Sequence, residues 1–269
     1  MVTGKKSYIL DYFNNSVWNI KPQNLKTIAG IITSKIVGNG LVNLIQAEPA
    51  EIKSDLVQVH HRTGILNIEG VLVPKASWLD SMCGFISTLE LNYQFNMLVD
   101  SPNIDKIVLY FDSPGGVSTG IYEFAENIYQ NRNRKEIVSF TDVDMCSAAF
   151  WLGSAASKVI ATPSSEIGSI GTYIALIKEK PESMEYDIYF IQAGDNKLYG
   201  NPNIPVTESE KQYFQDKVNN NNNLFVEAIS KFRNVSKEKV LETKASYYDS
   251  LSAPDWMYDT LADTNYILK

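Results

Sequence analysis

From residue 60 onward the chain alternates short apolar runs with stretches of helical periodicity. Ile65, Leu66, Ile68, Val71, Leu72 and Val73 form a strand pattern broken at Gly70 and followed by Pro74 and a polar bend. Residues 85–99 predict a helix, and Ile107, Val108, Leu109, Tyr110 and Phe111 a second strand. Ile121, Phe124, Ala125 and Ile128 then share a helix face, Ile137–Phe140 supplies another strand, and a small-residue helix runs from Ser147 to Ala155. Strands separated by crossover helices predict an α/β fold rather than a helical bundle.

Farther on, Ile174, Leu176 and Ile177 predict a strand, as do Ile188–Ile191. Thr207 and Glu210 have capping-box spacing, and Phe214, Val218, Phe225, Ile229 and Phe232 line the face of the helix they open. The run Asn219–Asn223 lowers helix propensity and marks either a kink or a helix that tertiary packing must retain. Ser236 begins another helix, and Trp256, Met257 and Tyr258 lie in a final one. Before residue 60 the pattern is weak: Ile28 to Ile45 is apolar but interrupted by Gly30, Gly38, Gly40 and Asn43. We read residues 1–55 as an arm suited to oligomer contacts or as an added helical segment on the same core, and 56–269 as the regular domain.

Composition narrows the function. The 269 residues, 44% of them hydrophobic, are enough for a substantial core. A net charge of −7, from 24 basic and 31 acidic side chains, offers no field for a phosphate backbone, so a nucleic-acid partner is not expected. Cys83 and Cys146 are too few for a disulfide framework or a thiolate metal site, which suits a reduced, cytoplasmic setting. Tyr8, Ile9 and Leu10 soon reach Asp11 and Asn14, so no signal peptide or membrane span is expected at the N-terminus.

The candidate chemistry centres on Ser147 in Met145-Cys146-Ser147-Ala148-Ala149-Phe150-Trp151. Amides at a helix start lack intrahelical acceptors and can face developing negative charge, so a serine there can attack while the Ala148 amide stabilises an oxyanion. A serine in this position is more often a simple cap. The turn Asp112-Ser113-Pro114-Gly115-Gly116 joins a strand to a helix and supplies a second donor, the amide of Gly116, with Gly115 the less favoured choice; alternatively the glycines only relieve a tight turn. No Gly-Lys-Ser/Thr and no Gly-x-Gly-x-x-Gly follows, so neither ATP nor NAD is expected, and no metal or other cofactor is called for.

A serine needs a base. His60 and His61 are the only histidines, and adjacent strand residues point to opposite faces, so at most one could serve a given site. Lys197, in Gly194-Asp195-Asn196-Lys197, is the better choice if burial lowers its pKa from about 10.4 toward 7–8. Ser169, between Gly168 and Gly171, could orient that amine or merely satisfy its own turn.

Taken together, these four motifs, in this order, resemble the S49 serine peptidases, the family of signal-peptide peptidase A and of phage capsid-maturation proteases. The resemblance covers residues 60–265 and implies a ClpP/crotonase-like fold of repeated ββα units, with residues 56–269 as the catalytic domain carrying C-terminal helices. It implies a Ser147–Lys197 dyad, Ser169 positioning the lysine, an oxyanion hole from Gly116 and Ala148, and peptide hydrolysis through an acyl-enzyme. An apolar strand after the last helix is also implied, for which Tyr266-Ile267-Leu268 is compatible. Ala148-Ala149 replaces the two glycines usual in membrane-bound members, and with no N-terminal span this points to the phage or prophage branch. The implied partners are a capsid or scaffold polypeptide and further copies of the chain, in the host cytoplasm or a procapsid. Two alternatives stand: a noncatalytic assembly protein retaining the fold, and a crotonase-like acyl-transfer enzyme.

Overall fold

The structure, a computed structural model, describes residues 16–24, 56–81, 83–176 and 189–266. Of the sequence expectations, the Ile28–Ile45 run, Ile177, Ile188 and residues 267–268 lie outside the described residues.

Two mixed sheets organise the chain. The larger contains β2 (Val57–His60), β3 (Thr63–Glu69), β6 (Lys106–Ser113), β8 (Glu136–Cys146), β10 (Glu166–Gly168) and β12 (Tyr247–Asp249), in the order β12-β10-β8-β6-β3-β2. Its central pairs, β3/β6, β6/β8 and β8/β10, are parallel, and its outer pairs, β2/β3 and β10/β12, are antiparallel. β9 (Lys158–Ala161) also pairs with β8 and takes β13 (Thr260–Leu261) on its far side. Parallel strands covered on both faces need continuous apolar runs, which is why Ile107, Val108, Leu109 and Phe111 are all buried.

The smaller sheet has the order β11-β1-β7-β4-β5, built from β1 (Val17–Ile20), β4 (Val71–Val73), β5 (Phe85–Ser87), β7 (Gly115–Val117) and β11 (Tyr173–Ile174). β1 lies within the segment read as an arm, and it is antiparallel to both neighbours. The expected break at Gly70, with φ +98°, passes the chain from β3 in one sheet to β4 in the other.

Helices α1 (Thr88–Asp100), α2 (Ile121–Asn131) and α3 (Ala148–Ser154) contribute to the main core with the central strands. α4 (Glu208–Arg233) begins at Thr207 with the predicted capping box, and α5 (Lys237–Glu242) is capped by Ser236. The asparagine run stays inside α4, an uninterrupted 26-residue helix. Packing outweighs propensity here: Phe225 stacks on Trp151 at 4.3 Å with 5° between the rings, and Phe232 stacks on Tyr129 at 4.8 Å.

Some elements differ from the sequence reading. Residues 85–87 form β5 before α1 starts, because Phe85 and Ile86 pair in parallel with Val71 and Leu72, and Ser87 then caps the helix by accepting from the Glu90 amide at 3.2 Å. Asp255–Met257 is a 3-10 turn after Pro254, too short for the final helix expected. Tyr189, Phe190 and Ile191 form no strand, and Tyr189 and Ile191 are exposed. Tyr266 ends a turn and stacks on Phe140 at 5.5 Å.

Candidate active site

Ser147 stands at the hinge between β8 and α3. β8 carries more residues than β6 between the paired positions Phe111/Thr141 and Ser113/Met145, and that irregularity re-aims its last residues as a bulge does. Ser147 itself adopts φ +56°, ψ −117°, a conformation costly for any residue with a Cβ. Its amide donates to Gly168 O at 2.7 Å and its carbonyl accepts from the Trp151 amide at 2.9 Å, so both neighbours hold the strain in place. The hydroxyl makes no capping bond: Oγ is buried and has no hydrogen-bond partner. A hydroxyl with nothing to satisfy and a strained backbone beneath it is not serving as a cap.

Around it the glycine turn closes tightly. Gly115 has φ +103°, and a side chain beginning there would meet Asn19 O at 2.2 Å, Ser147 Cβ at 2.9 Å and Ala148 N at 3.0 Å. Only a glycine fits a point where three pieces of backbone converge on the serine. The Gly115 amide donates to Ser113 Oγ at 3.2 Å, which leaves it engaged within its own turn. Gly116 sits in β7, opposite Asn19 on one side and Leu72 on the other.

Ser169 is buried in a left-handed conformation, φ +57°, directly after Gly168, whose carbonyl holds the Ser147 amide. Its own amide donates to Ser246 O at 2.8 Å. The geometry therefore links Ser169 to Ser147 through one residue of backbone. Lys197 is exposed, on a turn in which its amide donates to Gly194 O, and its amine has no bond to Ser147 Oγ. Thus Gly115, Gly116, Ala148 and Ser147 are gathered at one point, Ser169 lies alongside, and Lys197 is not brought to the serine in this arrangement. His60 and His61 are exposed at the end of edge strand β2.

Two neighbours were not found from sequence. Asn19 of β1 is fully buried, and its Nδ2 donates to Gly171 O and Thr172 Oγ1, both at 2.8 Å. Lys21 is 3% exposed; its Nζ binds both Asp144 oxygens at 2.9 Å and also Glu166. Burial works to lower the Lys21 pKa, but the Glu166 and Asp144 carboxylates outweigh it and hold the ammonium above its usual range. Lys21 is a charged clamp, not a base. Burial also pushes the Cys146 thiol up, which keeps it neutral and inert despite its place beside the serine. Tyr173, pushed up to about 12 by burial, is likewise a neutral hydroxyl at physiological pH. The sequence signal for Asn19 and Lys21 was slight: a four-residue strand in a segment of weak periodicity.

The fold and site thus define an α/β protein with a strained, unpartnered serine at a strand-to-helix hinge, backed by a glycine turn. The profile of peptidase family S49 matches residues 129–258, which include Ser147, Ser169 and Lys197. The matched stretch covers just under half of this chain. The chain is 27% identical over 200 residues to the capsid assembly protease C of Escherichia phage lambda, a match covering 74% of this chain and 46% of that protein. It is 25% identical over 190 residues to the head-tail preconnector protein GP5 of Enterobacteria phage P21, covering 70% and 38% respectively. The chain therefore spans less than half the length of either relative. Among solved structures, the ClpP protease catalytic domain from Plasmodium falciparum aligns with a TM-score of 0.44 at 16% identity, over 76% of this chain and 86% of that one. Among the described residues, no helix is long and apolar enough to cross a membrane.

Proposed function

We propose that this chain is a serine endopeptidase with Ser147 as nucleophile, acting on a phage or prophage capsid or scaffold polypeptide. The observation that carries the reading is the Ser147 hydroxyl, buried without a partner on a strained hinge. In this reading Ser147 attacks a peptide carbonyl, and the amides of Gly116 and Ala148 face the oxygen as it gains charge. Gly115 is the less suitable donor, since its amide is already bonded to Ser113. Lys197, oriented by Ser169, takes the Ser147 proton, returns it to the leaving amine, and then activates the water that releases the acyl group. Delivery of Lys197 requires movement of its exposed turn or donation from a neighbouring copy in a homo-oligomer of ClpP/crotonase-type subunits. The names of the two phage relatives support the substrate class and a setting in the host cytoplasm or procapsid. Residues 56–269 form the catalytic unit in this reading, and residues 1–55 regulate or assemble it.

The exposed position of Lys197 supports a second reading, a noncatalytic assembly protein that keeps the fold. Mass spectrometry of a mixed denatured-protein substrate separates the two. Cleavage by the parent that disappears in Ser147→Ala and in Lys197→Ala supports the peptidase; cleavage persisting in Ser147→Ala rejects the nucleophile. If the single variants are each inactive but regain cleavage when co-assembled, the lysine is supplied between subunits.

A further inference from the structure

Strand β1 lies where an extended polypeptide would have to lie to meet Ser147. It is antiparallel to β7 on one edge and to β11 on the other, with Asn19 opposite Gly116 and Trp18 opposite both Val117 and Tyr173. The Lys21 amide donates to Pro114 O at 3.1 Å and the Ser118 amide to Val17 O at 2.9 Å. The alternation of an antiparallel ladder then makes Asn19 and Gly116 the hydrogen-bonded pair between them, which turns the Gly116 amide toward the Asn19 carbonyl. That carbonyl oxygen, Ser147 Cβ and the Ala148 amide crowd the same point beside Gly115. The Gly116 amide therefore faces Asn19, and the Ala148 amide lies beside it.

Resting on the peptidase reading, we propose that Val17–Lys21 is a built-in inhibitory strand. It occupies the binding slot for the substrate's extended backbone, with the Asn19–Ile20 bond standing in place of the scissile one. Strand addition between two edges is a general mode of polypeptide recognition, with backbone bonds giving affinity and alternate side chains giving specificity. Trp18 and Ile20 share one face and pack with Val71, Val73, Phe85 and Val117 in a small cluster separate from the main core. The slot accordingly takes apolar side chains on either side of a small polar residue that reaches Gly171 and Thr172 as Asn19 does. Lys21 latches the strand's end to Asp144 and Glu166.

The occupant fits imperfectly, as a displaceable one must. Trp18 Nε1, Asn19 Oδ1, Tyr173 OH and Ser147 Oγ are all buried without hydrogen-bond partners, and all lie on β1 or against it. Each such group subtracts from the strand's hold. The strand is inhibitory rather than consumed because no base touches Ser147 Oγ in this arrangement.

The test locks the strand. Val17 and Ile174 face each other across β1 and β11, so the full-length Val17→Cys/Ile174→Cys variant places two thiols within bridging reach. Ser147 is then probed with a fluorophosphonate, which reports access to an activated serine without any peptide substrate. Labelling of the reduced form that slows by at least about tenfold on oxidation, and recovers on reduction, is the expected result. Equal labelling of both forms overturns the inference while leaving the nucleophile intact. As a second variant, Asn19→Ala removes the bonds to Gly171 and Thr172 and is expected to label about tenfold faster than the parent; an unchanged rate counts against the strand. No labelling of Ser147 in any form removes the nucleophile itself, and the inference with it.

Discussion

At the scale of single residues, the site is governed by where backbone is forced into positive φ. Ser147 and Ser169 hold such conformations without being glycines, and each is pinned by a backbone bond, to Gly168 O and Ser246 O. Gly115 is a different case, since both its φ and its surroundings forbid a side chain. Gly115→Ala is expected to cost more than the roughly 1 kcal/mol of an ordinary glycine replacement and to reduce fluorophosphonate labelling of Ser147, because its Cβ would push apart Asn19, Ser147 and the Ala148 amide. Thermal melts and labelling rates on one preparation check both effects; a stable variant that labels at the parent's rate refutes the convergence. Ser147, Gly115, Gly116 and Ser169 were legible as residues because glycine turns and small-residue helix starts leave sequence marks. Asn19 was not, because its importance comes from what lies across the ladder from it.

At the scale of elements, the helix that carries the serine is held by aromatic packing. Every residue of α3 is buried, and Trp151 on it stacks face to face with Phe225 of α4. Phe225→Ala should destabilise the fold by about 3–5 kcal/mol in chemical denaturation, through lost contact area and the cavity left beneath Trp151. A loss under about 1 kcal/mol would show that the stack does not hold α3. The same packing explains why Asn219–Asn223 stay helical: the capping box fixes one end of α4 and the Phe225–Phe232 face docks the other. In the sequence the asparagines stand alone as poor helix formers. Residues 85–87 illustrate the converse, a stretch with helical periodicity drawn into a strand because β4 offered a parallel partner.

For the molecule as a whole, several acidic groups meet near the site. Asp144 and Glu166 hold Lys21, and Asp112 is within electrostatic reach of Asp144, Glu69, Asp142 and Lys21. Burial, then repulsion from Asp144, Glu69 and Asp142, raise the Asp112 pKa above its usual 3.8, with Lys21 opposing. A raised folded-state pKa means the fold favours the protonated acid, so this contribution to stability is present below about pH 3.8 and lost as pH rises through the folded value. Asp112→Asn is therefore expected to be more stable than the parent at pH 7, with the difference shrinking as pH falls toward 3.8. Urea melts across that range measure it, and a difference that grows on acidification would reverse the assignment.

The sequence by itself determined the local grammar of this protein. Hydrophobic period fixed the alternation of central strands and helices, a capping box fixed the start of α4, and glycines and small residues marked the turn and the serine hinge, because each is a short-range property of the chain. Tertiary structure decided what stands beside the serine. Residues 17–20 have too little periodicity to be recognised alone, and they become a strand through pairing with β7 and β11, more than ninety residues away. Lys21 is charged and buried only because Asp144 and Glu166 meet it there, while Lys197 remains in solvent. Burial and pairing across the fold, not residue type, set which lysine is a clamp and which stays in solvent.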